Sequence, residues 1–116
     1  MRFISIFTHE PVNRPPTEAE MAALGKLIEE AMKEGWLLTT EGVAFGNHGV
    51  RVSRSRDGKI TVTDGPFTEA KEVLGGYALL AGASQEEVVG HAKRFLEVVG
   101  QGTCEIYPLW EMPAES

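Results

Sequence analysis

The residues best equipped for chemistry crowd into one stretch, Thr63-Asp64-Gly65-Pro66-Phe67-Thr68-Glu69-Ala70-Lys71-Glu72-Val73-Leu74-Gly75-Gly76-Tyr77. It mixes acids, a lysine, hydroxyls and glycines in a way that suits neither a packed helix nor a plain strand. In the run Ile60-Thr61-Val62-Thr63-Asp64 the two-residue period of a strand puts Asp64 on the same face as Ile60 and Val62. A carboxylate among apolar groups is how a perturbed acid at a pocket rim arises, and such a group suits general acid or base work. Phe67 and Tyr77 would wall the pocket, Lys71 would assist, and Gly75-Gly76 would let the backbone approach a neighbour closely. The local alternative is that Asp64 accepts hydrogen bonds from turn amides, with Glu69 and Glu72 as first-turn acids favoured by a helix dipole.

Other candidates lie outside this stretch. His9 and Glu10 end the first hydrophobic run just before a Pro-rich loop, where His9 is either a general acid or base near neutral pH or a solvated loop residue. Glu41 interrupts the otherwise uncharged run Trp36 to Phe45; facing inward, it would need Arg51, Arg54 or Lys71 as a partner, or would serve as the second acid of the site. Arg51, Arg54 and Arg56 form a basic cluster, read as a solvated hairpin or as a binder of a carboxylate- or phosphate-bearing ligand. His48 reads as a turn residue, His91 as a partly exposed helix position, Cys104 as a packed thiol, and Trp36 and Trp110 as core or interface anchors. There is no phosphate-cradling glycine loop, no serine nucleophile elbow and no metal-ligand spacing, so neither a cofactor nor a metal is expected.

These residues need elements to hold them. Residues 2 to 8 read as a strand, 10 to 16 as a loop, and Thr17-Glu18-Ala19-Glu20 as a capping box opening a helix. Met21, Leu24, Leu27, Ile28, Ala31 and Met32 form its apolar stripe, and Gly35 ends it. Trp36 to Phe45 should return as a strand with a bulge near Gly42. Val50 to Ser53 and Ile60 to Thr63 flank Asp57-Gly58 and should pair as a hairpin. Gly76 to Leu80 reads as a strand. Ser84 to Glu87 is a second capping box, opening a helix with Val88, Ala92, Phe95, Leu96 and Val99 inward, and Cys104 to Trp110 is a last strand. Two strand-helix-strand units imply one α+β domain over residues 1–116, a ferredoxin-like split βαβ sandwich. Its strands are apolar on both alternations, so the face without helices should pack on a second copy as a homodimer.

Composition sets bounds on function. At 116 residues there is room for one modest core but little for a deep private pocket, which a second copy would help to enclose. Seventeen acids against eleven bases give a net charge of −6, which together with the lack of aromatics among the arginines argues against nucleic acid as a partner. No run approaches the length of a membrane span, the start shows no signal-peptide core, and the single cysteine suits a reducing compartment, so a cytoplasmic protein is expected.

The string Asp64-Gly65-Pro66-Phe67-Thr68-Glu69-Ala70-Lys71-Glu72-Val73-Leu74-Gly75-Gly76-Tyr77 resembles the signature of the DGPF branch of the YCII-related proteins. The likeness runs along most of the chain: Glu10 after the first strand, Gly35 closing the helix, the Glu41-Gly42 pair and the Arg-containing strand before the motif. It implies a dimeric α/β barrel of two ferredoxin-like subunits with facing sheets. Wider relatives resemble small lyases or dehalogenating enzymes that use a His and Asp pair, which casts Asp64 as acid or base on a small-molecule ligand. This chain offers no obvious histidine partner for it. Members of the branch also look associated with extracytoplasmic-function sigma factors, which makes a non-catalytic regulatory or sensing module the alternative.

Overall fold

A computed structural model describes residues 1–12, 14–44, 49–65, 67 and 72–111. The described elements run β1 (Arg2–His9), α1 (Glu18–Glu34), β2 (Leu37–Gly42), β3 (Val50–Arg54), β4 (Ile60–Asp64), β5 (Val73–Ala81), α2 (Gln85–Val99) and β6 (Thr103–Pro108). Four strands form an antiparallel sheet in the order β2-β5-β1-β6, and among the described residues β3 and β4 pair only with each other. With the hairpin set aside, this is the α+β strand order of a ferredoxin-like split βαβ unit, as the element grammar predicts.

The helices start where side chains satisfy their first amides. Thr17 accepts from the Glu20 amide at 3.1 Å while the Glu20 carboxylate accepts from the Thr17 amide at 2.9 Å, a reciprocal box. Arg14 adds a 2.7 Å bond to the same carboxylate. Glu20 is thereby held well below the usual carboxylate range, at about 2, with Arg14 the largest cause and Thr17 next. The second box closes differently: Ser84 accepts from the Glu87 amide, but the Glu87 carboxylate takes the amide of Ala83 at 2.8 Å. Gly35 ends α1 at φ 86°, the left-handed geometry that glycine adopts without cost.

The core lies between the helices and one sheet face. Phe3, Ala31, Leu37, Leu80 and Val88 form its centre, with Phe3 1% and Val88 0% exposed. The apolar stripe of α1 is narrower than expected, because Met21 and Met32 are exposed while Leu27 and Ala31 are buried.

Strand register assigns the other face. On β1, Phe3, Ser5 and Phe7 point toward the helices, so Ile4 and Ile6 point away. Ile6 sits in a cross-strand row with Tyr77, Glu41 and Glu105, and Ile4 in a row with Leu79, Thr39 and Tyr107. No helix among the described residues covers these rows. The inward-facing expectation for Glu41 is therefore corrected: it stands exposed on the open face, because β2 buries Leu37 and turns Thr40 inward while Glu41 pairs with outward Tyr77.

The strand limits also shift. The second strand stops at Gly42, and the fifth begins at Val73 rather than Gly76. That early start is possible because β5 carries an irregularity opposite Phe7 and Thr8, which absorbs one residue in the Gly75-Gly76 segment. A Cβ on Gly76 would lie 2.5 Å from the Glu41 carbonyl oxygen, and one on Gly75 would lie 2.6 Å from the Phe7 ring. The close backbone approach read from the Gly pair is thus to neighbouring strand β2 and to the side chain of Phe7.

Candidate functional site

Small side chains on facing surfaces open a cavity of about 120 Å³ between the helices and the inner sheet face. Ser5, Gly75, Gly76 and Ala78 come from the two central strands, and Ala31 and Ala92 from the helices. Phe7, Leu27, Ile28, Trp36 and Phe95 supply apolar walls, with Phe7 and Phe95 edge to face at 5.0 Å. The volume is close to the ~150 Å³ of an apolar cavity that takes up benzene.

A few polar groups break this lining. Ser5 is buried on β1. Cys104 stands beside it across the β1–β6 pair, with its thiol pushed up by burial while a hydrogen bond with Ser5 works the other way. Thr40 donates its hydroxyl to the Tyr77 carbonyl at 2.8 Å. His91 enters the lining from α2, its ring stacked on Trp36 at 3.9 Å and 2° between planes. Its Nε2 is buried without a hydrogen-bond partner among the described residues, and the Glu87 carboxylate is 3.9 Å away.

The wall formed by Trp36 and His91 is fixed from outside. The Trp36 indole donates to Glu34 at 3.2 Å, and Arg94 binds Glu34 at 3.1 Å and Glu30 at 2.7 Å, tying the end of α1 to α2. The indole bond, then Arg94, lowers the Glu34 carboxyl below its ordinary range. Exposed pairs of this kind contribute little stability singly, but here they share partners and set one geometry.

The residues expected to form one site fall into separate groups. Asp64 ends β4 opposite Val50, exposed, on the Ile60 and Val62 face as the alternation predicts. Arg51 of β3 lies over the Phe67 ring at 3.9 Å, a cation–π contact at the root of the hairpin. Glu41 and Tyr77 are cross-strand partners on the open face, and both contribute to the cavity lining. His9 pairs with Val73 and bonds through Nδ1 to the Glu10 carbonyl, and Glu10 is tied in turn to Gln101 at 3.3 Å. Asp64, His9, Arg51 and Phe67 do not line the cavity. Lys71, Thr68, Glu69 and His48 lie outside the described residues.

Sequence reasoning passed over Ser5 and Thr40, while His91, read as a partly exposed helix position, has a side chain 21% exposed that also borders the cavity. For His91 a signal existed: it falls three residues after Val88 and four before Phe95, within the inward stripe of α2. Ser5 and Thr40 carry no such mark, because a single hydroxyl in a strand reads the same on either face.

Among the described residues no group of three or more His, Cys, Asp or Glu side chains could hold a metal. Among the described residues no helix is long and apolar enough to cross a membrane. What remains is an α+β unit with two helices on one face of a four-stranded antiparallel sheet and a small cavity between the layers. The model of the YCII-related domain matches residues 1–113, and the chain belongs to that family. No curated protein matches the sequence significantly.

Proposed function

We propose that this protein is a small-molecule-binding member of the DGPF branch that works as a homodimer and holds its ligand in the cavity between helices and sheet. The cavity itself carries the reading: about 120 Å³ of largely apolar space with Ser5, Thr40 and Cys104 along one wall. Pockets of this character bind compact apolar molecules and orient them through a few polar atoms. Placement in the branch rests on the Asp64-Gly65-Pro66-Phe67 string, and the homodimer on the uncovered rows containing Ile4, Ile6, Tyr77 and Leu79. Asp64, the acid or base that the resemblance implies, stands apart from this cavity, so a lyase- or dehalogenase-like step there, with Lys71, His9 and Glu41 assisting and Arg51, Phe67, Tyr77 and Glu10 on the ligand, requires a second site at the root of the hairpin.

A thermal-shift screen of small aromatic and aliphatic acids and alcohols tests the binding step. Hits should cluster in one chemical class and vanish in Ala78→Leu, which fills the cavity from β5. Asp64→Asn should keep those hits and lose turnover of any compound the wild type converts. Hits that survive Ala78→Leu place the ligand elsewhere. A screen without hits, together with recovery of a sigma factor by the tagged protein, would favour the regulatory alternative.

A further inference from the structure

The β3–β4 hairpin is built to be covered. One of its faces presents Val50, Val52, Ile60 and Val62, exposed by 57%, 65%, 63% and 64%. Val52 and Val62 are direct cross-strand partners at its centre, while Val50 faces Asp64 and Ile60 faces Arg54, so the four apolar side chains run diagonally between one acid and one base on the same face. Among the described residues the hairpin bonds to neither edge of the four-stranded sheet. An isolated two-stranded ribbon is marginal in water, and four aligned β-branched side chains left wet make it more so. Nevertheless both ends are well tied: Ser55 and Gly58 close the turn, the Ser55 amide bonds to the Lys59 carbonyl, and the Gly65 amide bonds to Gly49 at the root. The radius of gyration, 16.7 Å, exceeds the ~13 Å expected of a compact chain this long, as a projecting arm requires.

Charge selects the occupant. Residues 50–64 hold four bases and two acids, a net +2, whereas the rest of the chain holds seven bases and fifteen acids, a net −8. The bases Arg54, Arg56 and Lys59 gather at the tip, far from the root. On the open sheet face the two edge strands carry acids, Glu41 on β2 and Glu105 on β6. A basic arm with an apolar stripe thus meets its complement on another copy of the same molecule. Reach is sufficient: a hairpin of this length extends roughly 20 Å, and four strands span roughly 14 Å.

We propose that the hairpin is a dimerisation arm that crosses to a second copy of this chain. Its valine and isoleucine stripe covers the margin of the partner's open sheet face, and its arginine-rich tip meets the acidic sheet edges. Both arms engage by the same contact related by a two-fold axis. The proposal rests on the homodimer reading above and adds to it that the sheet contact alone is incomplete.

The test combines sedimentation equilibrium with limited trypsin digestion across a protein dilution series. Cleavage after Arg54, Arg56 and Lys59 should slow as protein concentration rises through the dimer transition. The double variant Val52→Lys, Val62→Lys should weaken dimerisation by at least about tenfold and restore cleavage after Arg54, Arg56 and Lys59, scored by mass spectrometry separately from cuts at the two introduced lysines, with the circular dichroism of the body unchanged. Added salt should weaken the wild-type dimer, since the tip contact is ionic. A stable dimer whose arm is cut at the same rate at every concentration, and which tolerates the double lysine variant, overturns the arm and leaves the sheet-to-sheet dimer standing. A monomer at every concentration overturns both.

Discussion

Replacing Gly76 by alanine should destabilise the protein although only one methyl group is added. The Cβ would stand 2.5 Å from the Glu41 carbonyl oxygen and 3.1 Å from the Gly42 Cα, both backbone atoms of neighbouring strand β2. Ordinary van der Waals contact begins near 3.4 Å, so strand β2 or β5 must retreat by about 0.9 Å along a contact that no side-chain rotation relieves. Overpacking of this kind costs about 1–3 kcal/mol. For a chain of this size that corresponds to a melting temperature lower by roughly 3–6 °C per kcal/mol. Gly25→Ala is the matched control: Gly25 lies exposed in the middle of α1 with nothing within 4 Å of a Cβ. There the same substitution should stabilise by about 0.5–1 kcal/mol, because alanine loses less freedom in a helix. Urea unfolding of both variants with unchanged slope gives the comparison directly. A Gly76→Ala protein as stable as the wild type would refute the close strand approach.

Three further outcomes follow from local geometry. Thr17→Ala removes the oxygen that accepts from the Glu20 amide, and should cost about 1 kcal/mol in a urea titration. The Glu20 carboxyl, held at about 2, should contribute stability above its ordinary range and lose that contribution as pH falls from about 4.5 toward 2; carbon-detected titration by NMR, compared with Arg14→Gln, reads this directly. The Cys104 thiol, raised by burial, should react slowly with a disulfide reagent at pH 8 until denaturant is added, and its contribution to stability should be present below the ordinary thiol range and fade as pH climbs above it.

The chain's local grammar was legible without coordinates. Thr17-Glu18-Ala19-Glu20 fixed the start of α1 and Gly35 its end, because capping depends on residues three or four apart. Asp57-Gly58 marked the hairpin turn, where Gly58 adopts φ 92°. The two-residue period put Asp64 beside Ile60 and Val62, and the register agrees. Apolar residues on both alternations of β1 and β5 told that the sheet would have a second face in need of cover.

What lay beyond the sequence was decided by contacts between residues far apart along the chain. Whether Glu41 faced inward turned on β2 pairing with β5 so that Glu41 met Tyr77, a partner 36 positions away. The cavity exists because Ser5, Ala78, Ala31 and Ala92 are small at the same place, and their adjacency is set only when helices dock on the sheet. Asp64 and the cavity, which a single motif invites one to join, belong to different sheets, since strand pairing sent β3 and β4 out of the main sheet. Short-range hydrogen bonds and periodicity therefore determined the elements from sequence alone, while long-range pairing, whose partners no local pattern names, decided which residues meet.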